Sequence, residues 1–137
     1  MSELNTAMDL AAQGMRAQGM RMRVISQNLA NAETTSTEPG GDPYRRETLT
    51  FRSQLDRTTG VNNLEIKGVM KDESEFTLKL DPSHPAADEN GYVKMPNVNT
   101  LIEMTDMREA QRSYEANLGV IDMSRTMLMR TIDLLRS

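Results

Sequence analysis

The sequence predicts a mainly α fold with a small β insertion. The N- and C-terminal segments form an antiparallel two-helix coiled coil, and the insertion lies between them in the sequence. All five prolines lie in the middle of the 137-residue chain, so neither end contains the residue that most strongly breaks helices. Apolar residues recur at helical spacing in both ends, whereas the middle alternates with the period of strands. The predicted organisation is an N-terminal helix over 1–32, a β-rich insertion over 33–98 and a C-terminal helix over 99–137.

The first helix is expected to begin near Ser2 or Asn5, either of which could cap it, and to end near Ala32. Its first apolar seam has gaps of three and four, interrupted only at Gln18, and consists of Leu4, Met8, Ala11, Met15, Met22, Ile25 and Leu29. A second seam is displaced by two residues, which is a rotation of about 200° around the helix. It consists of Leu10, Ala17, Met20 and Val24.

The second helix is expected to follow Pro96 and to open with Thr100 and Glu103 at the spacing of a capping box. Its first seam consists of Met104, Met107, Tyr114, Leu118, Ile121, Leu128, Ile132 and Leu135. Its second seam, on the opposite face, consists of Ala116, Val120, Met123, Met127 and Leu134. The pattern of the first helix is therefore repeated at the other end of the chain.

Two apolar faces on one helix predict neighbours on two sides. A helix of a small monomer needs one apolar face against its core. With 4% aromatic residues and no Trp, this short chain has little material for an ordinary core, and its twelve methionines suit contacts between helices in differing surroundings. The sequence therefore predicts a subunit of an assembly.

The order of charges favours an antiparallel pair. In the first helix Glu3 and Asp9 precede Arg21 and Arg23. In the second helix the acidic residues Glu103, Asp106, Glu109 and Glu115 precede Arg125, Arg130 and Arg136. Exposed ion pairs contribute only about 0.2–1 kcal/mol each, so they select the orientation while the apolar seams stabilise the pair.

The middle of the chain contains four short strand candidates, over 47–51, 64–69, 76–80 and 92–95, separated by turn residues. It has few large apolar residues. We therefore expect a small β insertion at one end of the helix pair.

Several functional classes are excluded by composition. A net charge of −4 and a pI of about 5.0 argue against nucleic acid as a partner. The chain has no Cys, which excludes a disulfide, a thiolate nucleophile and a Cys-type zinc site. His84 is its only histidine, so a His-based metal site or a catalytic triad has little support. Neither a cleavable signal peptide nor an apolar run long enough to cross a membrane is visible. We expect no catalytic, cofactor-binding or metal-binding residues and no direct membrane insertion.

Four stretches carry a family resemblance. They are residues 26–35 (SQNLANAETT), 43–46 (PYRR), 81–93 (DPSHPAADENGYV) with 96–99 (PNVN), and 112–117 (RSYEAN). The first and fourth are similar to signatures of the flagellar axial proteins, and the third resembles the proximal-rod members of type C among the rod proteins of the bacterial flagellar basal body. The motif residues are Asn28, Leu29, Ala30, Asn31, Pro96, Asn97, Tyr114, Glu115 and Asn117.

The resemblance implies a structural subunit whose terminal helices pair and pack as a helical tube. It implies a drive shaft that transmits torque and surrounds the export channel, located in the periplasmic rod after export without a cleavable signal peptide. The implied partners are further copies of the chain, other rod proteins, the membrane-embedded ring with its rod adaptor, and the flagellar export apparatus.

Individual residues also have expected roles. Asn28 and Asn31 are expected to end the first helix, and Tyr114 to anchor the seam between the helices. Polar residues that interrupt the seams, namely Gln18, Gln111 and Arg125, are expected to fix the register, and the helical glycines Gly14, Gly19 and Gly119 to permit close helix approach.

Two other functions compete with the rod subunit. A soluble helical adaptor or export chaperone would be a discrete folded monomer or dimer, whereas the terminal helices of a rod subunit would be largely disordered before polymerisation. High helicity of the dilute chain by circular dichroism would therefore favour the adaptor. An enzyme is disfavoured because the chain lacks a plausible nucleophile, base or cofactor loop.

Overall fold

The computed structural model describes residues 2–136. Their elements, in chain order, are α1 (Ser2–Ala30), β1 (Glu47–Asp56), β2 (Val61–Lys71), β3 (Thr77–Leu80), β4 (Tyr92–Met95) and α2 (Thr100–Arg136). The predicted class, mainly α with a small β insertion, is confirmed. The described residues divide into two compact units, each containing part of both helices. Unit 1 comprises 2–22, 50–68 and 108–136, and unit 2 comprises 23–49 and 69–107.

The helix ends differ from the sequence prediction in one respect. α1 ends at Ala30, where Asn31 N–H still donates to Gln27 O at 3.1 Å before a turn begins. The expected capping box at the start of α2 is wrong. Asn99 Oδ1 accepts hydrogen bonds from the N–H groups of Leu101 at 3.1 Å and Ile102 at 3.4 Å, so Asn99 is the N-cap. Glu103 is instead buried against other polar groups and is not the reciprocal partner of Thr100.

β1 and β2 form a two-stranded ribbon joined by a turn over 57–60. Gly60 donates its N–H to Asp56 O at 2.7 Å and has a φ of 71°, a conformation that glycine adopts without strain. Both strands are longer than predicted, since β1 continues to Asp56 and β2 begins at Val61. The added residues are largely polar and do not alternate, and the tight turn pairs them regardless of that pattern.

β3 and β4 form a second antiparallel pair, in which Thr77 is opposite Met95 and Leu80 is opposite Tyr92. Val93 of β4 is buried at 1% exposure. Phe76, expected at the start of this strand, lies just before β3 and stacks under the Arg45 guanidinium, whose central carbon is 4.3 Å from the ring centre. Both pairs of strands lie between the two helices in sequence, as predicted for the insertion.

Candidate assembly surfaces and a polar junction

The residues of the first seam occupy different environments on the two helices. In α1, Ile25 is buried, and Met8, Met15, Met22 and Leu29 are half-buried. In α2, the half-buried members are Met107, Tyr114, Ile121 and Leu128, whereas the exposed members are Met104, Leu118, Ile132 and Leu135. The exposed members show that the apolar arc of α2 is wider than the surface covered within the chain.

The second seam of α1 is largely covered within the chain itself. Val24 is buried, Met20 is half-buried and Leu10 is 38% exposed. In unit 1 the Gln13 side chain binds the ribbon, donating from Nε2 to Asn63 Oδ1 at 3.2 Å and accepting at Oε1 from Leu64 N–H at 3.1 Å. The ribbon therefore supplies a neighbour for this face of α1.

The second seam of α2 is uncovered. Val120 is 44% exposed, Met123 67%, Met127 50% and Leu134 76%. These positions share one face of the helix, because they follow helical spacing. A row of large apolar side chains in water marks a surface that other molecules contact. The asymmetry between the helices identifies α2 as the main candidate assembly surface.

Small side chains line the contact between the two helices in unit 1. A Cβ built on Gly14 of α1 would lie 2.6 Å from Asn117 Nδ2 of α2. One heptad to either side of Asn117, Ala110 and Ser124 are buried at 0% and 5% exposure. Arg21 and Glu109 form an ion pair at 3.4 Å further along the same pair of helices. From Gly14 to Arg21 the residue number rises along α1, while the contacted residue number falls from Asn117 to Glu109 along α2, as expected for antiparallel helices.

The expectation that all three helical glycines permit close approach is wrong for two of them. No atom lies within 4 Å of a Cβ built on Gly19 or Gly119, whereas Gly14 is in contact with Asn117. Glycine in a helix costs about 1 kcal/mol relative to alanine, so a packing reason exists within the described chain only at Gly14.

Gly14→Val is expected to lower the free energy of unfolding by about 1–3 kcal/mol, because its side chain would overlap Asn117. The same substitution at Gly19, which meets open space, is the matched control and should cost far less. Urea unfolding of both purified chains, followed by far-UV circular dichroism at a concentration where the unsubstituted chain is helical, gives the comparison, and the same conditions apply to every unfolding measurement on this chain. Equal losses at the two positions would show that Gly14 is not a site of close packing.

Unit 2 contains a cluster of interlocking polar side chains, which we call the polar junction. It consists of Asn28, Tyr44, Arg46, Asp72, Asn97 and Glu103. Asn28 projects from the last turns of α1 and Glu103 from the first turn of α2. The remaining members come from segments next to β1, β2 and β4. The junction thus joins both helices to the insertion.

Asn28 is only 1% exposed and uses both ends of its amide. Its Nδ2 donates to Glu47 O at 2.8 Å, and its Oδ1 accepts from Glu47 N–H at 2.9 Å. The side chain thereby pairs with the start of β1 as a neighbouring strand would. Oδ1 also accepts from Tyr44 OH at 2.8 Å, and Nδ2 lies 3.5 Å from Glu103 Oε2. This full set of partners offsets the cost of burying the amide.

Arg46 is the only cation in the junction and faces three carboxylates. Its Nε donates to Glu103 Oε1, whose side chain is 1% exposed. One guanidinium nitrogen lies 3.3 Å from Asp72 Oδ2, and the other lies 3.9 Å from Asp106 Oδ2. Because a buried carboxylate without a partner is costly, the Arg46 contact keeps Glu103 stable in its buried position.

Asn97 holds the backbone on both sides of Arg46. Its Oδ1 accepts from Arg46 N–H at 2.7 Å, and its Nδ2 donates to Asp72 O at 2.9 Å and Ser74 O at 3.2 Å. Asp72 N–H in turn donates to Arg46 O at 2.7 Å. The guanidinium is therefore fixed through its main chain as well as through its ion pairs.

Three pKa values in the junction are shifted. Burial raises the pKa of Tyr44, with the negative charges of Glu47 and Glu103 adding to the effect. Burial acts to lower the pKa of Arg46, but its hydrogen bonds and ion pairs with Glu103 and Asp72 together outweigh this effect and raise the pKa. Hydrogen bonds from the backbone and hydroxyl of Ser74 lower the pKa of Asp72, and Arg46 contributes further. The charged forms of Arg46 and Asp72 are the ones that the junction favours.

The other predicted motif residues lie around these groups. Asn31 Nδ2 donates to Gln27 O at 2.8 Å, and Asn31 Oδ1 accepts from Thr34 Oγ1 at 3.1 Å, where α1 gives way to the loop. Leu29 is half-buried, Ala30 is exposed and Pro96 is buried. In α2, Tyr114 and Asn117 are half-buried, and Glu115 is exposed.

The residues predicted to fix the register do not make the contacts that this role needs. Gln111 and Arg125 are exposed. Within the described residues, Gln18 Oε1 is buried without a hydrogen-bond donor. The polar contacts between the helices lie instead at Asn28 with Glu103 and at Arg21 with Glu109. Sequence reasoning missed the junction because Arg46 and Glu103 are 57 positions apart.

Among residues 2–136, no cluster of three or more His, Cys, Asp or Glu residues has an arrangement suited to a metal ion. Neither of the described helices combines the length and apolar character needed to span a bilayer.

Comparison with known proteins identifies the family. Residues 89–134 match the model of the flagellar basal body rod FlgEFG protein C-terminal family. Over its full length the chain is 51% identical to the flagellar basal-body rod protein FlgC of Agrobacterium fabrum, covering 100% of this chain and 99% of the relative. The chain belongs to the FlgC family. FlgC of Borreliella burgdorferi is 37% identical over 97% of the chain and 98% of the relative, and that of Salmonella typhimurium is 36% identical over 92% and 93%.

Membership confirms the resemblance seen in the four motifs. FlgC is a structural protein of the flagellar basal-body rod and not an enzyme. Asn28, Asn97 and Asn117, which the motifs singled out, lie at helix and insertion contacts and not around a reaction centre.

Proposed function

We propose that the chain is a structural subunit of the proximal rod that polymerises through its terminal helices. The terminal segments over 1–32 and 99–137, which contain α1 and α2, form a terminal domain as an antiparallel two-helix coiled coil, and the insertion over 33–98 projects from it. Such pairs pack as a helical tube, which acts as the drive shaft, transmits torque and surrounds the export channel. The observation that carries the proposal is the uncovered apolar row of α2, where Met123 is 67% exposed and Leu134 is 76% exposed.

The two seams have different roles in this proposal. The first seam joins α1 to α2 through its covered residues, which are Met8, Met15, Met22, Ile25 and Leu29 on α1 and Met107, Tyr114, Ile121 and Leu128 on α2, while its exposed residues Met104, Leu118, Ile132 and Leu135 contact neighbouring subunits. The second seam contacts neighbouring subunits, through Val120, Met123, Met127 and Leu134 on α2 and Leu10, Met20 and Val24 on α1. On α1, part of that face is already covered within the single chain, which supports α2 as the larger contributor.

The proposed location is the periplasmic part of the rod, reached through the flagellar export apparatus without a cleavable signal peptide. The proposed partners are further copies of the chain, other rod proteins and the membrane-embedded ring with its rod adaptor. The relatives are named as basal-body rod proteins, which supports assembly with other rod components.

Ile121→Asp is expected to abolish swimming and rod completion, because it places a charge on the half-buried face of α2. Secretion of subunits that assemble earlier should continue. The variant replaces the native chain in flagellated cells, and the readouts are swimming and the content of purified basal bodies. Normal swimming would contradict the proposed packing, and absence of the unsubstituted chain from basal bodies would favour an adaptor or export chaperone.

A further inference from the structure

We propose that the polar junction fixes the register of α2 against α1, so that Arg46, Asn28 and Glu103 act as specificity-determining residues of the helix pair. The inference concerns the helices of one chain and goes beyond the proposed rod function. It follows from two observations. Ala110, Asn117 and Ser124 recur every seven residues along α2 and have small or short side chains, whereas Glu103, seven residues before Ala110, has a buried carboxylate that pairs with Arg46.

The contact surface in unit 1 does not by itself define a register. Ala110, Asn117 and Ser124 lie seven residues apart on one face of α2, all of them small or short and polar. A shift of seven residues, about 10.5 Å along the helix, would bring Ser124 to the position of Asn117 opposite Gly14. Serine is smaller than the asparagine that now contacts Gly14, so the shifted arrangement fits sterically. The flexible methionines of the seams also adapt to either arrangement.

The remaining polar groups of unit 1 also discriminate weakly. Arg21 and Glu109 form an ion pair, but the Glu109 side chain is 67% exposed, and exposed pairs have small effects. Gln18 Oε1 is buried without a donor in the native register, so it does not favour that register.

The polar junction discriminates between the two registers, because the shift would separate the buried Glu103 carboxylate from Arg46. The same shift would move Glu103 away from Arg46 and bring Ala110, which has no acceptor, opposite Asn28. Arg46 cannot follow, since Asn97 holds its backbone and Asn28 binds the adjacent Glu47 at both N–H and O. The donor site that binds Glu103, formed by Arg46 and Asn28, is therefore attached to α1 through residues 44–47. Only one register of α2 fills it.

Engineered disulfides can read the register directly, because the chain contains no cysteine. One chain carries Gly14→Cys with Asn117→Cys, which reports the native register. A second carries Gly14→Cys with Ser124→Cys and Asn117→Ala, which removes the overlap between Asn117 and the side chain introduced at Gly14, and it reports the shifted register. Each replaces the native chain in flagellated cells. After mild oxidation, the disulfide-linked fraction of monomeric chain is measured by non-reducing electrophoresis in the whole-cell pool and in purified basal bodies.

In the otherwise unchanged chain, we expect the native pair to form at least about ten times more disulfide than the shifted pair. Adding Glu103→Leu, or separately Asn28→Leu, should lower that ratio at least about tenfold. Glu103→Leu removes the buried carboxylate that the shift would separate from Arg46, and Asn28→Leu removes the side chain that attaches residues 44–47 to α1. Glu109→Ala, which breaks the exposed ion pair on the same helix, is the matched control and should leave the ratio unchanged. Where a leucine variant is degraded, Glu103→Gln, which keeps the side-chain shape, replaces it and should lower the ratio in the same direction.

The inference is overturned if the folded junction variants keep the native ratio, or if Glu109→Ala changes it as much as they do. Absence of the unsubstituted chain from basal bodies would instead count against the proposed rod function. The ratio in the whole-cell pool would still test the register in that case. The two failures are therefore distinguishable.

Discussion

Replacing Arg46 with methionine is expected to lower the free energy of unfolding by about 3 kcal/mol, at the lower end of the range for breaking a buried ion pair. The substitution leaves the Glu103 carboxylate, 1% exposed, without its cation, and Asn28 Nδ2 at 3.5 Å is a weak substitute. We take the lower end because 24% of the Arg46 side chain is exposed, so water screens part of the interaction. Urea unfolding followed by far-UV circular dichroism measures the loss.

Two further chains make this prediction specific. Lys94→Met breaks the exposed pair with Asp42 and should cost less than about 1 kcal/mol. The double variant Arg46→Met with Glu103→Leu should recover much of the loss, because replacing both members of a buried ion pair by apolar residues is often neutral. A single Arg46→Met chain as stable as the unsubstituted one would show that the junction does not depend on this ion pair.

Met123→Asp should abolish incorporation into the rod while leaving the isolated chain almost unchanged. Met123 is 67% exposed in the single chain, so the substitution should alter its free energy of unfolding by no more than about 0.5 kcal/mol. In an assembled rod the same position would be buried against a neighbouring subunit, where an unpaired carboxylate is strongly unfavourable. The measurements are urea unfolding of the purified chain and its abundance in purified basal bodies.

The control for this prediction is Met123→Leu, which keeps an apolar side chain of similar volume and should preserve both swimming and incorporation. Gln111→Asp places the same charge at an exposed polar position on the same helix and should be tolerated. Normal incorporation of Met123→Asp would show that this row of α2 does not face a neighbouring subunit. The prediction separates a role in assembly from a role in folding.

The helices could be predicted from the sequence because apolar spacing and the distribution of prolines are local properties. The same reasoning placed the start of α2 correctly at Thr100 but assigned the wrong cap to it. Asn99 and Thr100 are both suitable N-cap residues, and Glu103 follows Thr100 by three residues, which is the spacing of a capping box. The structure assigns Glu103 to Arg46 instead, a partner that no local pattern reveals.

The contact between the helices was also only partly predictable. Large apolar residues indicated a pair, yet the closest contacts involve Gly14, Ala110 and Ser124, which contribute little to an apolar pattern. The spacing of seven between Ala110, Asn117 and Ser124 in α2 was the available signal. The covering of α1 by the ribbon was not foreseen, because it depends on the Gln13 amide binding a strand about fifty positions away.

The polar junction joins residues that are far apart in the chain, since Asn28 and Glu103 are separated by 75 positions. Closing a flexible loop costs an entropy that grows only with the logarithm of its length, so doubling the loop adds about 0.6 kcal/mol. Evolution can therefore lengthen or shorten the segment between the helices at little thermodynamic cost, provided that Arg46 and Asn97 keep their places beside the helix ends. The few residues of the junction constrain this architecture far more tightly than the length of the chain between them.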